Sequence, residues 1–558
     1  MGFLDLAVIV AYLLLVTGVG WWAGRADAAK TVADFFLGGR KLTWLLLGTS
    51  MAATTLAADT PLTVAGITIE SGVSGNWFWW SFIMSHVLVA TVLAPLWRRA
   101  DVTTDAEFCE LRYDGKAAGG LRALKAFYYA VPINCFTMGW VMLAMTKVSA
   151  AVLPEVPGWI VVGVLLLMTL LYSLRSGFAA VVLTDLLQLP IALAGAVVLA
   201  WYSVDAGGGL DAVIQGAVAA KGQSAIALSP IGGESALPWH ILAVFLAVQW
   251  WSWKNADGGG IMVQRMLAAK DERHAALGGL WFCFVHYAVR PWPWILTGLA
   301  ALVVVPEVAA IDPERAYAAL IVEVLPPGLR GLLVASFLAA FMSTMDTHLN
   351  WGASYVANDL VGRFTSVPAE RLPAVSRGAV LGMAALAVVV ALNMKSIKTG
   401  WEIAIAFGAG AGAPTLLRWF WWRITAEAEI AALLASGVIS GLTFWLAPDW
   451  PWSARLMTVV AGSTLVWLPV ALRTSRVTPA LEDFWQRVRP PGPGWRVVAG
   501  GAQASGWPAA LRWVLGVTAA LCTLLGPGEM LLGSFFAGLA ATTFGILLLA
   551  ALVQTTPR

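Results

Sequence analysis

Apolar runs of about sixteen to thirty residues, each closed by a short polar stretch, recur along nearly the whole chain; that is the length a helix needs to cross a hydrocarbon layer. They predict spans 1 to 15 at 4–23, 43–68, 77–97, 122–149, 157–174, 178–203, 238–265, 277–305, 329–360, 376–394, 399–421, 426–446, 453–472, 510–525 and 530–553. Two of these are interrupted. In span 2, Thr54-Thr55-Leu56-Ala57-Ala58-Asp59-Thr60-Pro61 contains a proline that removes a backbone donor and crowds the preceding turn. In span 7, Asn255-Ala256-Asp257 runs into Gly258, Gly259 and Gly260, each about 1 kcal/mol worse than Ala in a helix. The interruptions lie five spans apart, which makes spans 2–6 and 7–11 two five-helix units entering the membrane from opposite sides. Such an inverted repeat with discontinuous first helices builds ion and solute sites at mid-membrane. Irregular backbone at that depth is tolerated only under protein cover or beside a wet cavity.

Span 9 is apolar enough for a bilayer yet carries Ser343, Thr344, Asp346 and Thr347 in its middle. At about 3.6 residues per turn, Ala340, Ser343, Thr344 and Thr347 share one face, and Asp346 lies one turn from Ser343. Hydroxyls in membrane helices often only bond back to their own i−4 carbonyls. The carboxylate argues for more, because an unpaired Asp at membrane depth costs a few kcal/mol or more. Clustered hard oxygens suit a small hard cation. Asp185, in Thr184-Asp185-Leu186-Leu187-Gln188 of span 6, is either a helix-end residue or a second carboxylate reaching that face.

Four further positions carry charge or chemistry. Asp59, with Thr60, either caps the helix half that Pro61 starts or contacts a solute. Asp257, next to Gly258, either pairs with Lys254 one turn earlier or acts as a gate. Arg290 lies roughly 21 Å into span 8 and must face the bundle interior, paired with an acid or holding an anionic solute group.

Composition agrees with a polytopic membrane protein: the chain is 59% hydrophobic and 12% charged over 558 residues, about half the charge of a soluble domain. Lys and Arg alternate between connections. Arg25, Lys30, Arg40 and Lys41 follow span 1, Arg98, Arg99, Arg112 and Lys116 follow span 3, and Arg265, Lys270 and Arg273, then Arg363, Arg371 and Arg377, fall on the same side. The positive-inside rule places the N-terminus outside and the C-terminus in the cytoplasm of a cell (inner) membrane. Lys395 and Lys398 violate the pattern. Span 1 has no small-residue cleavage site after it and reads as retained. Cys109, Cys135, Cys283 and Cys522 are too scattered for a disulfide frame, and five histidines without HExxH spacing argue against zinc. With no P-loop and no G-x-S-x-G, neither ATP-driven transport nor hydrolysis is supported, and the chain does not read as an enzyme.

The motifs Asp34-Phe35-Phe36-Leu37-Gly38-Gly39-Arg40, Leu183-Thr184-Asp185-Leu186-Leu187-Gln188 and Met342-Ser343-Thr344-Met345-Asp346-Thr347 resemble those of the sodium:solute symporters, the family of sodium–glucose, sodium–proline and sialic acid transporters. The resemblance runs through spans 1 to 12. It implies an all-α polytopic fold of the leucine-transporter type, a 5+5 inverted repeat with one extra N-terminal span and about four C-terminal spans. It also implies sodium held by the carbonyls of Ala53, Leu56 and Ala340 and the hydroxyls of Ser343 and Thr344, with a possible second sodium at Asp185, Ser343, Asp346 and Thr347. Asp59 and Thr60 stand where sugar carriers have a polar pair of different chemistry, and span 11, Ala406-Phe407-Gly408-Ala409-Gly410-Ala411-Gly412-Ala413-Pro414, lacks the glutamine that contacts sugar. His348 replaces a common Gln.

The domains expected are a first span and loop (1–42), a first five-helix repeat (43–203), an outer loop (204–237), a second repeat (238–424), two further spans (425–472), a cytoplasmic linker carrying Pro490-Pro491-Gly492-Pro493-Gly494 (473–509) and a two-helix addition (510–558). The expected function is sodium-coupled import of a small polar solute by alternating access, an amine or amino-acid-like zwitterion rather than a sugar, contacting Asp59, Thr60, Lys254, Asp257, Gly258 and Arg290. Proton coupling on the same fold, or a transporter-like solute sensor, are the alternatives. Lipid is the expected surroundings, with no nucleic acid and no required protein partner.

Overall fold

The computed structural model describes residues 1–26, 37–173, 178–229, 235–473, 476–501 and 506–556. Lys30 and Asp34, Phe35 and Phe36 of the first motif lie outside the described residues. Regular structure among the described residues is helical, and a helix stands at every predicted span. Nine of these helices are long and apolar enough to cross a membrane, ten if the bent pair Val73–Trp80 and Ile83–Ala100 is one span. Of the others, spans 2 and 7 are each cut in two, and span 11, Ile397–Leu417, is diluted by glycine. Span 1 is the helix Phe3–Ala26, and span 5 contains the helix Gly158–Ser173.

Both breaks are present. In span 2 the helix Trp44–Thr54 stops, residues 55–58 unwind, and Asp59–Ser71 resumes with Pro61 in its first turn, where a missing N–H costs nothing. In span 7 the break is wider than its glycines alone predict, running from Trp250 to Gly258 before the helix Gly259–Leu267. Gly258 at φ 112° and Gly259 at φ 47° take left-handed backbone there. Span 11 explains the extra width. A Cβ on Gly412 would lie 2.1 Å from the Trp251 carbonyl, and one on Gly408 would lie 2.7 Å from the Lys254 nitrogen. The unwound stretch is therefore laid directly on the glycine face of span 11. Spans 3 and 8 each loosen into a π-turn, at Val89–Leu93 and Val285–Val289, as do spans 4, 7 and 9.

Span 9 is the central helix. Its most apolar window is 94% buried, against 17% for the last helix, Phe535–Gln554. It packs against spans 1, 4, 6 and 10 and the first half of span 2. Span 1 is fastened to its start: Asp5 Oδ1 accepts from the Gly328 and Gly331 N–H groups at 2.8 and 3.0 Å, satisfying donors that a helix leaves open.

Some connections are more ordered than the pattern suggests. The 204–237 loop contains the helix Leu210–Lys221, and Pro306–Ile311 and Pro313–Val324 bridge spans 8 and 9. The expected 473–509 linker folds the helix Pro479–Val488, whose Leu481, Phe484 and Val488 recur at helical spacing and are buried. Trp495, in the same stretch, donates to the Trp419 carbonyl at 2.9 Å. Span 14, Trp507–Leu532, leans on spans 3 and 8 through Trp513 to the Met84 carbonyl and Trp292 to the Leu524 carbonyl, both 2.8 Å. Lys398, one of the two residues against the charge pattern, is neutralised by Glu70 at 2.8 Å.

Replacing Gly258 with Ala forces a side chain into left-handed backbone at a cost of about 1–2 kcal/mol. Thermal unfolding followed by intrinsic fluorescence of the purified chain should show a lower midpoint; an unchanged midpoint contradicts the strain.

Candidate functional site

The last carbonyls of Trp44–Thr54 have no partners within their own helix, and Arg290 of span 8 supplies them. Its guanidinium donates to the Ala52 carbonyl at 3.1 Å, the Thr55 carbonyl at 2.7 Å and the Thr55 hydroxyl at 2.8 Å, and meets His286 Nδ1 at 2.9 Å. A fixed cation at a helix C-terminus also complements the helix dipole. Three of these contacts go to the broken helix and one to His286 of its own span, and Asp59 is the acid whose charge Arg290 feels. Around it, His86 and the Tyr287 hydroxyl are 2.6 Å apart and Trp79 stacks on the Tyr287 ring.

Asp59 is the first residue of the second half of span 2, whose N-cap position is Ala58. Its Oδ2 accepts from the Trp401 indole at 3.0 Å, and its Oδ1 is buried with no hydrogen-bond partner among the described residues. The Thr60 hydroxyl reaches back to the Thr55 carbonyl at 3.4 Å.

Span 9 meets the break of span 2 at Ala340. Leu56 and Ala340 line one small cavity, together with Ala57, Ala58, Ser336 and Tyr317. Ala53 closes the turn, its carbonyl accepting from the Leu56 N–H at 2.8 Å. Ser343, Thr344, Asp346 and Thr347 are all buried. The carboxylate that reaches Ser343 is nonetheless Asp185, whose Oδ1 accepts from the Ser343 hydroxyl at 3.1 Å and whose Oδ2 accepts from the Ser50 hydroxyl at 2.7 Å. Asp346 instead accepts from Asn350, one turn along its own helix, at 2.6 Å. The Thr347 hydroxyl is buried without a partner among the described residues. His348 forms a reciprocal pair with Asn134 of span 4.

At the break of span 7 the expected Lys254–Asp257 pair is absent. Asp257 Oδ2 accepts from Arg418 at 2.6 Å and from the Trp419 indole at 2.9 Å. Lys254 donates to Asn255 Oδ1 at 3.3 Å and lies over the Tyr129 ring. The reason is local: both residues lie in the unwound stretch 250–258, which has no helical face for an i,i+3 pair. Arg418 also meets Glu429 at 3.5 Å, and Glu429 takes Lys125 and the Tyr113 hydroxyl as further partners, so a buried charge network closes this end of the bundle.

Sequence reasoning missed Arg265, Ser50, Thr54, Trp401, Arg418 and Glu429. Arg265, read as a basic residue of a cytoplasmic connection, is buried against span 2, where it donates to the Thr54 and Ser50 hydroxyls at 3.0 and 3.4 Å. Its signal was present: it follows Gly259-Gly260-Ile261-Met262-Val263-Gln264 within the apolar run, before the polar loop begins.

At the rim, outside the spans, burial opposes the ionisation of Glu110, but Arg363 at 3.1 Å and Arg122 at 2.6 Å outweigh it and hold this carboxyl below its ordinary range.

The profile of the sodium:solute symporter family matches residues 35–436. Sodium/glucose cotransporter 2 of Rattus norvegicus is 27% identical over 408 residues, covering 66% of this chain and 59% of that protein. Sodium/myo-inositol cotransporter 2 of Sus scrofa is 28% identical over 408 residues, covering 66% of this chain and 58% of its own length. The chain thus spans about three fifths of these relatives. A solved Na+-coupled sialic acid symporter, in a substrate-bound outward-open state, superposes with a TM-score of 0.68 at 19% identity over 86% of this chain and 99% of that one, a likeness of fold.

Two measurements check this geometry. Arg290→Ala should lower the thermal midpoint more than Arg290→Lys, since a bond to a charged donor is worth about 1.5–3 kcal/mol; equal midpoints would mean the Ala52 and Thr55 carbonyls are satisfied otherwise. Because the folded pKa of Glu110 is depressed, its contribution to stability is present above the ordinary Glu value and is lost as pH falls through the folded one. Melting curves of Glu110→Gln and the unaltered chain should therefore converge as the pH is lowered below about 4.

Proposed function

The chain belongs to the sodium:solute symporter family, a family of transporters rather than enzymes, and from that premise we propose that this multi-pass membrane protein imports a small polar organic solute coupled to sodium. The observation that supports the reading is the shared cavity of Leu56 and Ala340, where the unwound turn of span 2 lies against span 9 one turn before Ser343 and Thr344. Sodium at the carbonyls of Ala53, Leu56 and Ala340 and the hydroxyls of Ser343 and Thr344 ties span 2 to span 9. The tie favours the state open to the outside, and losing the ion on the cytoplasmic side releases it. The Asp257–Arg418–Glu429 network acts as the inner closure in this scheme. With about −100 mV and a tenfold gradient, one sodium supplies roughly 2.3 plus 1.4 kcal/mol, enough to concentrate solute about 500-fold.

Asp59 and Thr60 contact the solute. The unpartnered Oδ1 of Asp59 asks for a donor, because a buried polar atom without one costs about 1–3 kcal/mol. With both terminal nitrogens of Arg290 bonded to the broken helix, Asp59 offers the acceptor for the solute, which favours an amine or an amino-acid-like zwitterion. The named relatives carry glucose and myo-inositol, and a sugar hydroxyl is the competing donor. A thermal-shift screen of amines, amino acids and polyols, with and without sodium, separates them, since a ligand stabilises the fold it binds. Stabilisation by polyols alone would overturn the amine reading.

Ser343→Ala combined with Thr344→Ala should abolish sodium-dependent uptake into vesicles while leaving membrane expression intact. Uptake that survives the double change removes the sodium assignment. Uptake in sodium-free buffer that rises as pH falls would move the coupling to protons, with Asp185 the carrier.

A further inference from the structure

Four spans meet at Asp185. Ser50 from the first half of span 2 and Ser343 from span 9 each spend their hydroxyl proton on its carboxylate, at 2.7 and 3.1 Å. From the second half of span 7, Arg265 donates to the same Ser50 oxygen at 3.4 Å and to the Thr54 hydroxyl one turn on at 3.0 Å. Asp185, Ser50 and Arg265 are fully buried. Asp185 and Arg265 are each the charged side chain that the other feels. The carboxylate thus already has a permanent cation, bridged to it through one hydroxyl.

We propose that Arg265 is the resident counter-charge of Asp185, and that Asp185 is a positioning residue for the sodium-binding hydroxyl of Ser343 rather than a ligand of a second sodium. This rests on the reading of Ser343 as a sodium ligand. A hydroxyl has one proton and two lone pairs. By taking the proton of Ser343, Asp185 leaves both lone pairs of that oxygen for an ion on the far side, as a carboxylate behind a metal-binding side chain orients it elsewhere. At Asp185 a second sodium would compete with the guanidinium that already balances that carboxylate, and burying an uncompensated charge costs several kcal/mol. Asp346 is turned to Asn350 on its own helix. The consequence is a pocket that holds one sodium per cycle and links both broken spans to the sodium helix through Arg265, Ser50, Asp185 and Ser343.

The test uses sodium alone, because the solute is unidentified. Equilibrium binding of radioactive sodium to the full chain in nanodiscs should saturate at one ion per chain with a Hill coefficient of one. Asp185→Asn should raise the half-saturating sodium concentration about 10- to 100-fold without changing that stoichiometry, Asp185→Glu should recover part of the loss, and Thr347→Ala should leave binding as it was. Two ions per chain, falling to one in Asp185→Asn or Thr347→Ala, would overturn the proposal while leaving the Ser343 site standing. No saturable sodium binding in the unaltered chain would remove the underlying sodium reading itself.

Discussion

A helix cannot be cut in the middle of a membrane unless something replaces the hydrogen bonds it gives up, and in this protein the guanidinium of Arg290 does so for span 2. It binds the carbonyls of Ala52 and Thr55 and the hydroxyl of Thr55 at once, at 2.7–3.1 Å. With the helix end satisfied, residues 55–58 can remain unwound, and the Leu56 turn can face Ala340 across a cavity. His286 of the same span completes the contacts of the guanidinium at 2.9 Å.

The second break is solved differently. Span 7 unwinds over a longer stretch, and its cover is backbone against backbone: glycines 408 and 412 of span 11 let the chain at 251–254 approach where any side chain would collide. Its charge is handled by Arg418, which ties Asp257 to Glu429. One break is therefore held open by a cation donating to carbonyls, the other by close packing and an ion pair. The two halves are joined by Arg265, which reaches from the helix after the second break to Ser50 and Thr54 before the first. Buried polar chains of this kind are costly when partly satisfied and rigid when complete.

Much of this was legible as pattern. Pro61 marked one break and the glycines at 258–260 the other, because proline and glycine act on the backbone locally, whatever surrounds them. The hydroxyl face of span 9 was legible from helical spacing alone. Partner choice was not. Lys254 and Asp257 have the spacing of a helical pair, yet the pair fails because both lie in the unwound stretch 250–258 and share no helix face. Asp346 is the nearer carboxylate to Ser343 in sequence, yet Asp185 from span 6 is the one that binds it. Arg290 announced itself as a buried charge needing a partner, but backbone carbonyls are absent from any list of side chains.

The amino-acid order by itself therefore determined where helices cross, where two of them break and which faces carry oxygen, since those depend on hydropathy, periodicity and local backbone chemistry. The tertiary structure alone decided which charge meets which acceptor: Arg290 on helix-end carbonyls, Arg418 on Asp257, and Asp185 between Ser50 and Ser343. The physical reason is range. A helix is set by neighbours a few residues away, whereas a buried charge takes whichever partner the packing of distant spans brings within about 3 Å.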